Sequence, residues 1–258
     1  DKIAKLLRYH STFSCVETSL LVGVPQTKST KPTVSLDDYL KRAPEGQAQI
    51  YYLSGQTSTS MARHPHLEAF TKRHLEVLFL DDPIDEYALT QLRMYSGKEL
   101  MSIDAADIKF PESSEAAESE TPKVAPKHFT RVLELFRGAL DPHVADVKES
   151  SRLTDSPCCL VNPRSQMSSR LQQIVGQTVQ DFEQTKRVME INPQAALISR
   201  LCELTVNSDN DEFIRECGRQ LYANTLILDG MLPDFDDAAA RSLRFMVELA
   251  DSKSVIVV

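Results

Sequence analysis

Between Gln49 and Ile103 the chain alternates extended and helical patterns, and this stretch constrains its folding more than any other. Gln49-Ile-Tyr-Tyr-Leu-Ser54 is β-branched and aromatic and stops at Gly55. Glu76-Val-Leu-Phe-Leu80 is apolar through its middle, as a strand must be when both of its faces are covered. Lys98-Glu-Leu-Met-Ser-Ile103 supplies a third strand. Two helical patterns separate them: His66–His74, with Leu67 and Phe70 inward, and Asp85–Tyr95, with Ala88, Leu89 and Leu92. Strand–helix–strand–helix–strand in so short a span requires right-handed crossovers and predicts a small parallel sheet. Tyr51 and Tyr52 should then pack on opposite faces of it. Upstream, Ser35-Leu-Asp-Asp-Tyr-Leu-Lys-Arg42 reads as a short helix with Ser35 as its cap, acids in the first turn and bases in the last.

A chain of 258 residues favours two domains. Beyond Asp104 the composition turns to Glu, Ser, Ala and Pro. This places an α/β domain over 1–110, a linker over 111–126, and an α+β domain over 127–258. The second domain opens with a helix at Phe129–Leu140. Short strands follow at Val144–Lys148 and Cys158–Val161, expected to be antiparallel. Asn192 and Pro193 read as N-cap and first residue of a helix through Leu204. Asp211–Leu228 carries Ile214, Leu221 and Leu228 at heptad spacing with Cys217 between them, and Gly230 closes it. Asp236 and Asp237 open a last helix bearing Leu243, Phe245, Met246 and Leu249. Two neighbouring helices that are apolar on more than one side need a second partner. A two-fold four-helix bundle between two copies supplies one.

The search for chemistry finds little. A net charge of −8 argues against a primary role on nucleic acid or an anionic membrane surface. No apolar run is long enough to span a bilayer. There is no phosphate loop, dinucleotide turn or nucleophile elbow, and eight glycines leave few for such loops. Asp81, Asp82 and Asp85 sit after a strand, where a metal-dependent α/β enzyme would hold Mg²⁺. The simpler reading is that they cap the following helix, with Pro83 in its first turn. His64 and His66 flank a proline and, with His74, read as surface imidazoles rather than a metal site. The five cysteines show no ligand spacing and read as buried free thiols. No cofactor is expected.

One stripe remains. Read as a helix, the stretch after Ser165 aligns Met167, Leu171, Ile174 and Val175 on one thin apolar edge of an otherwise polar surface. Most such stripes pack on their own domain. The alternative is an exposed edge suited to adaptable binding, with methionine at its tip.

Six segments, in order, resemble the heat-shock protein 90 family: Ala4-Lys-Leu-Leu-Arg-Tyr9, Val34-Ser-Leu-Asp-Asp-Tyr39, Ile50-Tyr-Tyr-Leu-Ser-Gly55, Glu76-Val-Leu-Phe-Leu-Asp-Asp-Pro-Ile-Asp-Glu-Tyr87, Arg152-Leu-Thr-Asp-Ser-Pro-Cys-Cys-Leu-Val161 and Met189-Glu-Ile-Asn-Pro193. The resemblance covers nearly the whole chain. It implies the later part of that family's middle domain followed by its C-terminal dimerisation domain. The ATP- and Mg²⁺-binding domain would lie upstream, so this stretch would bind clients and hold a homodimer without hydrolysing ATP itself. The family's exposed client-binding helix would fall on Met167, Leu171, Ile174 and Val175. Its dimer helices would fall on Asp211–Leu228 and Asp236–Ala250, although Ser242 stands where relatives are apolar. Val255-Ile-Val-Val258 is not the acidic tail that tetratricopeptide co-chaperones recognise. The opening segment and short linkers look most like the mitochondrial paralogue, with a cytoplasmic form second. The stretch from Phe13 to Pro32 fits neither closely.

Overall fold

A computed structural model describes residues 4–13, 34–106, 108, 110–111, 125–162, 168, 171, 186–231 and 233–254. The expected strands form at β2 (Gln49–Ser54), β3 (Leu78–Leu80) and β5 (Lys98–Ser102). β2 is central and pairs parallel with both β3 and β5, as the alternating pattern requires. The sheet is nevertheless mixed, not all parallel. β1 (His10–Ser11) adds antiparallel to β3, and β4 (Met94–Tyr95) antiparallel to β5, giving the order β1-β3-β2-β5-β4. β4 occupies residues that the periodicity assigns to a helix. That helix ends at Leu92, where Arg93 takes φ +56°. Ser96 and Gly97, both at positive φ, then close a two-residue hairpin.

Helix α1 (Leu36–Arg42) is capped as expected: the Ser35 hydroxyl accepts from the Asp38 N–H at 3.1 Å. Its Tyr39 hydroxyl donates to the Glu76 carbonyl and accepts from Gln47 Nε2 and the Tyr51 N–H, pinning α1 to the sheet. α2 (Ser58–Met61) and α3 (Glu68–Lys72) lie between β2 and β3, with a 3₁₀ turn at Pro65–Leu67. α4 (Pro83–Leu92) follows β3, and Asp82 caps it by accepting from the Ile84 N–H. Ile50 and Tyr52 pack on one face of the sheet with Leu36, Leu78 and Leu89. Tyr51 and Leu53 pack on the other with Phe70, Val77 and Phe79. The two tyrosines therefore face opposite ways.

The second half is built on α5 (Pro126–Leu140) and a three-stranded sheet. β6 (Asp146–Glu149) and β7 (Cys158–Val161) do not pair with each other. β8 (Val188–Ile191) lies between them, parallel to β6 and antiparallel to β7. The nearer strands are separated by a strand more distant in sequence, which short-range pattern does not reveal. α6 (Ala196–Leu204) starts later than Asn192-Pro193 suggests, because the Asn192 side chain accepts from the Gln194 N–H and forms a turn ahead of the helix. α7 (Asp211–Leu228) and α8 (Phe235–Ser254) complete the chain. α5 and α7 cross closely at Gly218, where an added Cβ would sit 2.7 Å from the Phe136 ring. Cys158, Leu160, Met189, Ile191, Ile198 and Ile214 fill the core between sheet and helices.

The two halves are stitched by polar contacts. Asn162 bridges to Ala105, with its N–H on the Asp104 carbonyl at 2.9 Å. Arg152 reaches the carbonyls of Ile103 and Ala105 and pairs with buried Glu190 at 3.1 Å. The Glu68 carboxylate accepts from the backbone N–H groups of Thr154, Asp155 and Ser156 at 2.7–3.0 Å. No helix among the described residues is long and apolar enough to cross a membrane.

Candidate functional site

α8 rests on α7 through one ridge. Ala238 and Arg241 are buried and Phe245 is half-buried, at the i, i+3, i+7 spacing of one helical face. Arg241 Nε bonds Glu216 at 2.8 Å, and its guanidinium also meets Asp237. Arg244 reaches the same Glu216 at 3.1 Å. Phe245 meets Phe213 edge-on with ring centroids 5.7 Å apart. These contacts fix the helix and use up only part of its surface.

The rest is apolar and uncovered. Leu243, Met246 and Leu249 are each 62% exposed, and Val247 is similarly open. Ile227 and Leu228 continue the exposed surface at the end of α7, and Leu197 and Phe213 border it. A groove of about 430 Å³ runs between α6, α7 and α8, lined by Leu197, Phe213, Cys217, Leu221, Phe245 and Leu249. Large apolar groups left open side by side on two packed helices mark an association surface more often than a free one.

The residues expected to hold a second copy divide into two sets. Ile214, Cys217 and Leu221 are buried within their own chain, because that part of α7 faces α5 and the sheet. Leu228, Leu243, Met246 and Leu249 are exposed, and Phe245 lies between the sets. The sequence reading left out Leu197, Phe213, Ile227 and Val247; the apolar neighbours Val247, just after Met246, and Ile227, just before Leu228, were the available signal. Of the stripe, Met167, Ile174 and Val175 lie outside the described residues. Leu171 is 4% exposed. Its N–H bonds the hydroxyl of buried Ser168, whose own N–H donates to Glu86 at 2.9 Å. Burial raises the Glu86 carboxyl above its ordinary range, against the lowering effect of the Ser168 hydrogen bonds.

Asp82 spends its carboxylate on the helix cap, and Ile84 and Tyr87 stand exposed beside it. Burial pushes the Cys158 thiol up to about 12 and holds the Cys159 thiol well above its ordinary value, so burial disfavours the thiolate at both. Cys158 and Cys159 pack in different clusters, on opposite sides of β7. His74 is exposed as expected, but His64 and His66 contradict the sequence reading. His66 is buried and His64 nearly so, because the turn that carries them is covered by Asp229 and Arg187 of the second half.

The family model "Hsp90 protein" matches residues 1–255. Among curated relatives, the chaperone protein HtpG of Shewanella baltica strain OS155 is 37% identical over 204 residues, covering 79% of this chain and 30% of that protein. HtpG of Shewanella sp. strain MR-4 is 38% identical, and that of Shewanella oneidensis 36%, over the same shares. The chain thus spans about a third of the length of the relatives it matches.

Proposed function

Because the chain belongs to the heat-shock protein 90 chaperone family, we propose that it is the client-binding and homodimerising portion of an ATP-dependent chaperone. The observation that carries the dimer is the apolar face of α7 and α8 left open by its own protomer, at Leu228, Leu243, Met246 and Leu249. An isologous pairing of that face with its copy makes a four-helix bundle and covers the groove beside it. Ile214, Cys217 and Leu221 support the face from behind by fixing α7 to the core. ATP and Mg²⁺ would be bound upstream of this stretch, and the energy of turnover would reach clients through the dimer.

Client contact falls to the stretch around Leu171. Leu171 is buried and bonded through Ser168 to Glu86 of the first half, so it serves as an anchor for that stretch, and Met167, Ile174 and Val175 are the residues assigned to clients. Each apolar side chain that a client covers contributes roughly 1–2 kcal/mol, so holding is weak and broad rather than selective. The acidic balance of the chain fits partners that are unfolded polypeptides rather than nucleic acid. The mitochondrial likeness of the opening segment is a separate proposal, checked by imaging a tagged full-length protein in cells.

Two measurements test the whole. Molar mass by light scattering should be that of two chains, and a monomer at high concentration overturns the dimer. Ile174→Ser with Val175→Ser should weaken suppression of aggregation of a heat-unfolded client while leaving molar mass unchanged. Undiminished client holding in that variant rejects the assignment.

A further inference from the structure

His64 and His66 lie either side of Pro65 at a 3₁₀ turn of the first half, and Asp229 lies just past the end of α7 in the second. Folding brings them together across 165 positions of sequence. His64 Nε2 is 3.1 Å from Asp229 Oδ1. The two imidazoles stack, with centroids 5.0 Å apart and planes 20° from parallel. One donor atom from each of the three residues lies within 4.8 Å of the other two.

The second observation concerns His66 alone. It is 2% exposed, and neither ring nitrogen has a hydrogen-bond partner. A buried imidazole with both nitrogens unsatisfied is uncommon, because buried polar atoms almost always find a partner. The neighbouring groups are satisfied by one another: His64 by Asp229, and Asp229 also by Arg187. His66 is the member left over, and it borders the carboxylate and the second imidazole.

We infer that His64, His66 and Asp229 form a transition-metal site, with Zn²⁺ the fitting ion, at the seam between the two halves of the chain. Two imidazoles and one carboxylate are a donor set that leaves a fourth position for water. Zn–N and Zn–O bonds of about 2.0–2.1 Å put tetrahedral ligands about 3.3 Å apart. The His64–Asp229 pair already has that spacing, and a ring adjustment of His66 closes the rest.

Charges facing the site select the metal. Arg187 holds the other carboxylate oxygen and orients it as an outer partner of a ligand does, while Arg152 also acts on His66. Both guanidiniums oppose a cation. Mg²⁺ and Ca²⁺, bound by oxygen and charge alone, are disfavoured, whereas Zn²⁺ and Co²⁺ gain from imidazole. A bound ion would tie the 64–67 turn to the end of α7 and set the angle at which the first half meets the dimer helices. This does not depend on the chaperone reading.

The test is to strip the full chain with a chelator and titrate it with Co²⁺ and Zn²⁺. Visible cobalt bands at one equivalent, chased by Zn²⁺, and a Zn²⁺-dependent rise in Tm are expected. His66→Phe and His64→Gln should each lower affinity by at least about tenfold and abolish the rise in Tm. Absence of cobalt bands, thiolate-type absorption in place of histidine ligation, or binding unchanged in both variants overturns the site, and an ordered water then satisfies His66. The wild-type cobalt spectrum decides the question even where a variant fails to fold.

Discussion

Replacing Leu243 and Met246 by serine together should dissociate the proposed dimer without unfolding the protomer. Both side chains are 62% exposed in the single chain, so most of their surface is available to a second copy. Burying a whole Leu or Met contributes about 1.5–3 kcal/mol, and the exposed share of each about 1–2 kcal/mol. Two-fold symmetry makes every substitution count twice, giving roughly 4–7 kcal/mol for the four side chains. Side chains at an interface are rarely covered in full, and part of the gain offsets their ordering. A loss of at least about 3 kcal/mol is therefore expected, a hundredfold or more in the dimer dissociation constant. Sedimentation equilibrium over a concentration series reads it directly. The folded protomer should keep its far-ultraviolet circular dichroism, since exposed substitutions that break no hydrogen bond usually change stability by less than about 0.5 kcal/mol. A dissociation constant within threefold of the parent would refute the reasoning, because the open face would then not be the one that pairs.

Three further outcomes are expected. Gly218→Ala should destabilise by about 1–2 kcal/mol in chemical denaturation, because its Cβ meets the buried Phe136 ring at 2.7–3.1 Å and overpacking outweighs the roughly 1 kcal/mol gained in helix propensity. Gly138→Ala, with nothing within 4 Å of its Cβ, should instead stabilise, and equal signs for the two refute the packing account. Glu68→Gln should cost about 1–3 kcal/mol and speed hydrogen exchange at 154–156, since it weakens three charge-assisted bonds between the halves. Although burial opposes its charge, those bonds hold the Glu68 pKa below its ordinary value. Their stabilisation is present above the unfolded pKa and fades as pH falls through the folded one, so the variant's deficit should shrink in acid. Glu86 has the opposite sign. Its folded pKa is raised by burial, so its charge costs stability as pH climbs from the unfolded pKa through the folded one. Glu86→Gln should raise Tm at neutral pH and leave it unchanged in acid; a lowered Tm at neutral pH contradicts this.

What the sequence determined by itself is local. Three parallel strands, the Ser35 and Asp82 caps, the opposed tyrosines, the burial of the four described cysteines and the closure of α7 before Gly230 all follow from patterns a few residues long. The family was legible because several such segments occur in one order. Tertiary structure decided the rest. The hairpin at Ser96-Gly97 turned a helical stretch into an edge strand, although that dipeptide was a usable signal. β8 enters between β6 and β7 because three strands must share one apolar layer, and no short window contains all three. The heptad of α7 shows which residues share an edge but not what covers it; Ile214 and Leu221 turn inward only because α5 lies there. The histidine turn looked solvated from its own sequence, and became buried only when Asp229 and Arg187 closed over it from more than a hundred residues away. Periodicity and capping are energies between near neighbours on the chain. Burial is set by neighbours in space, and the two coincide only where an element meets a partner close to it in sequence.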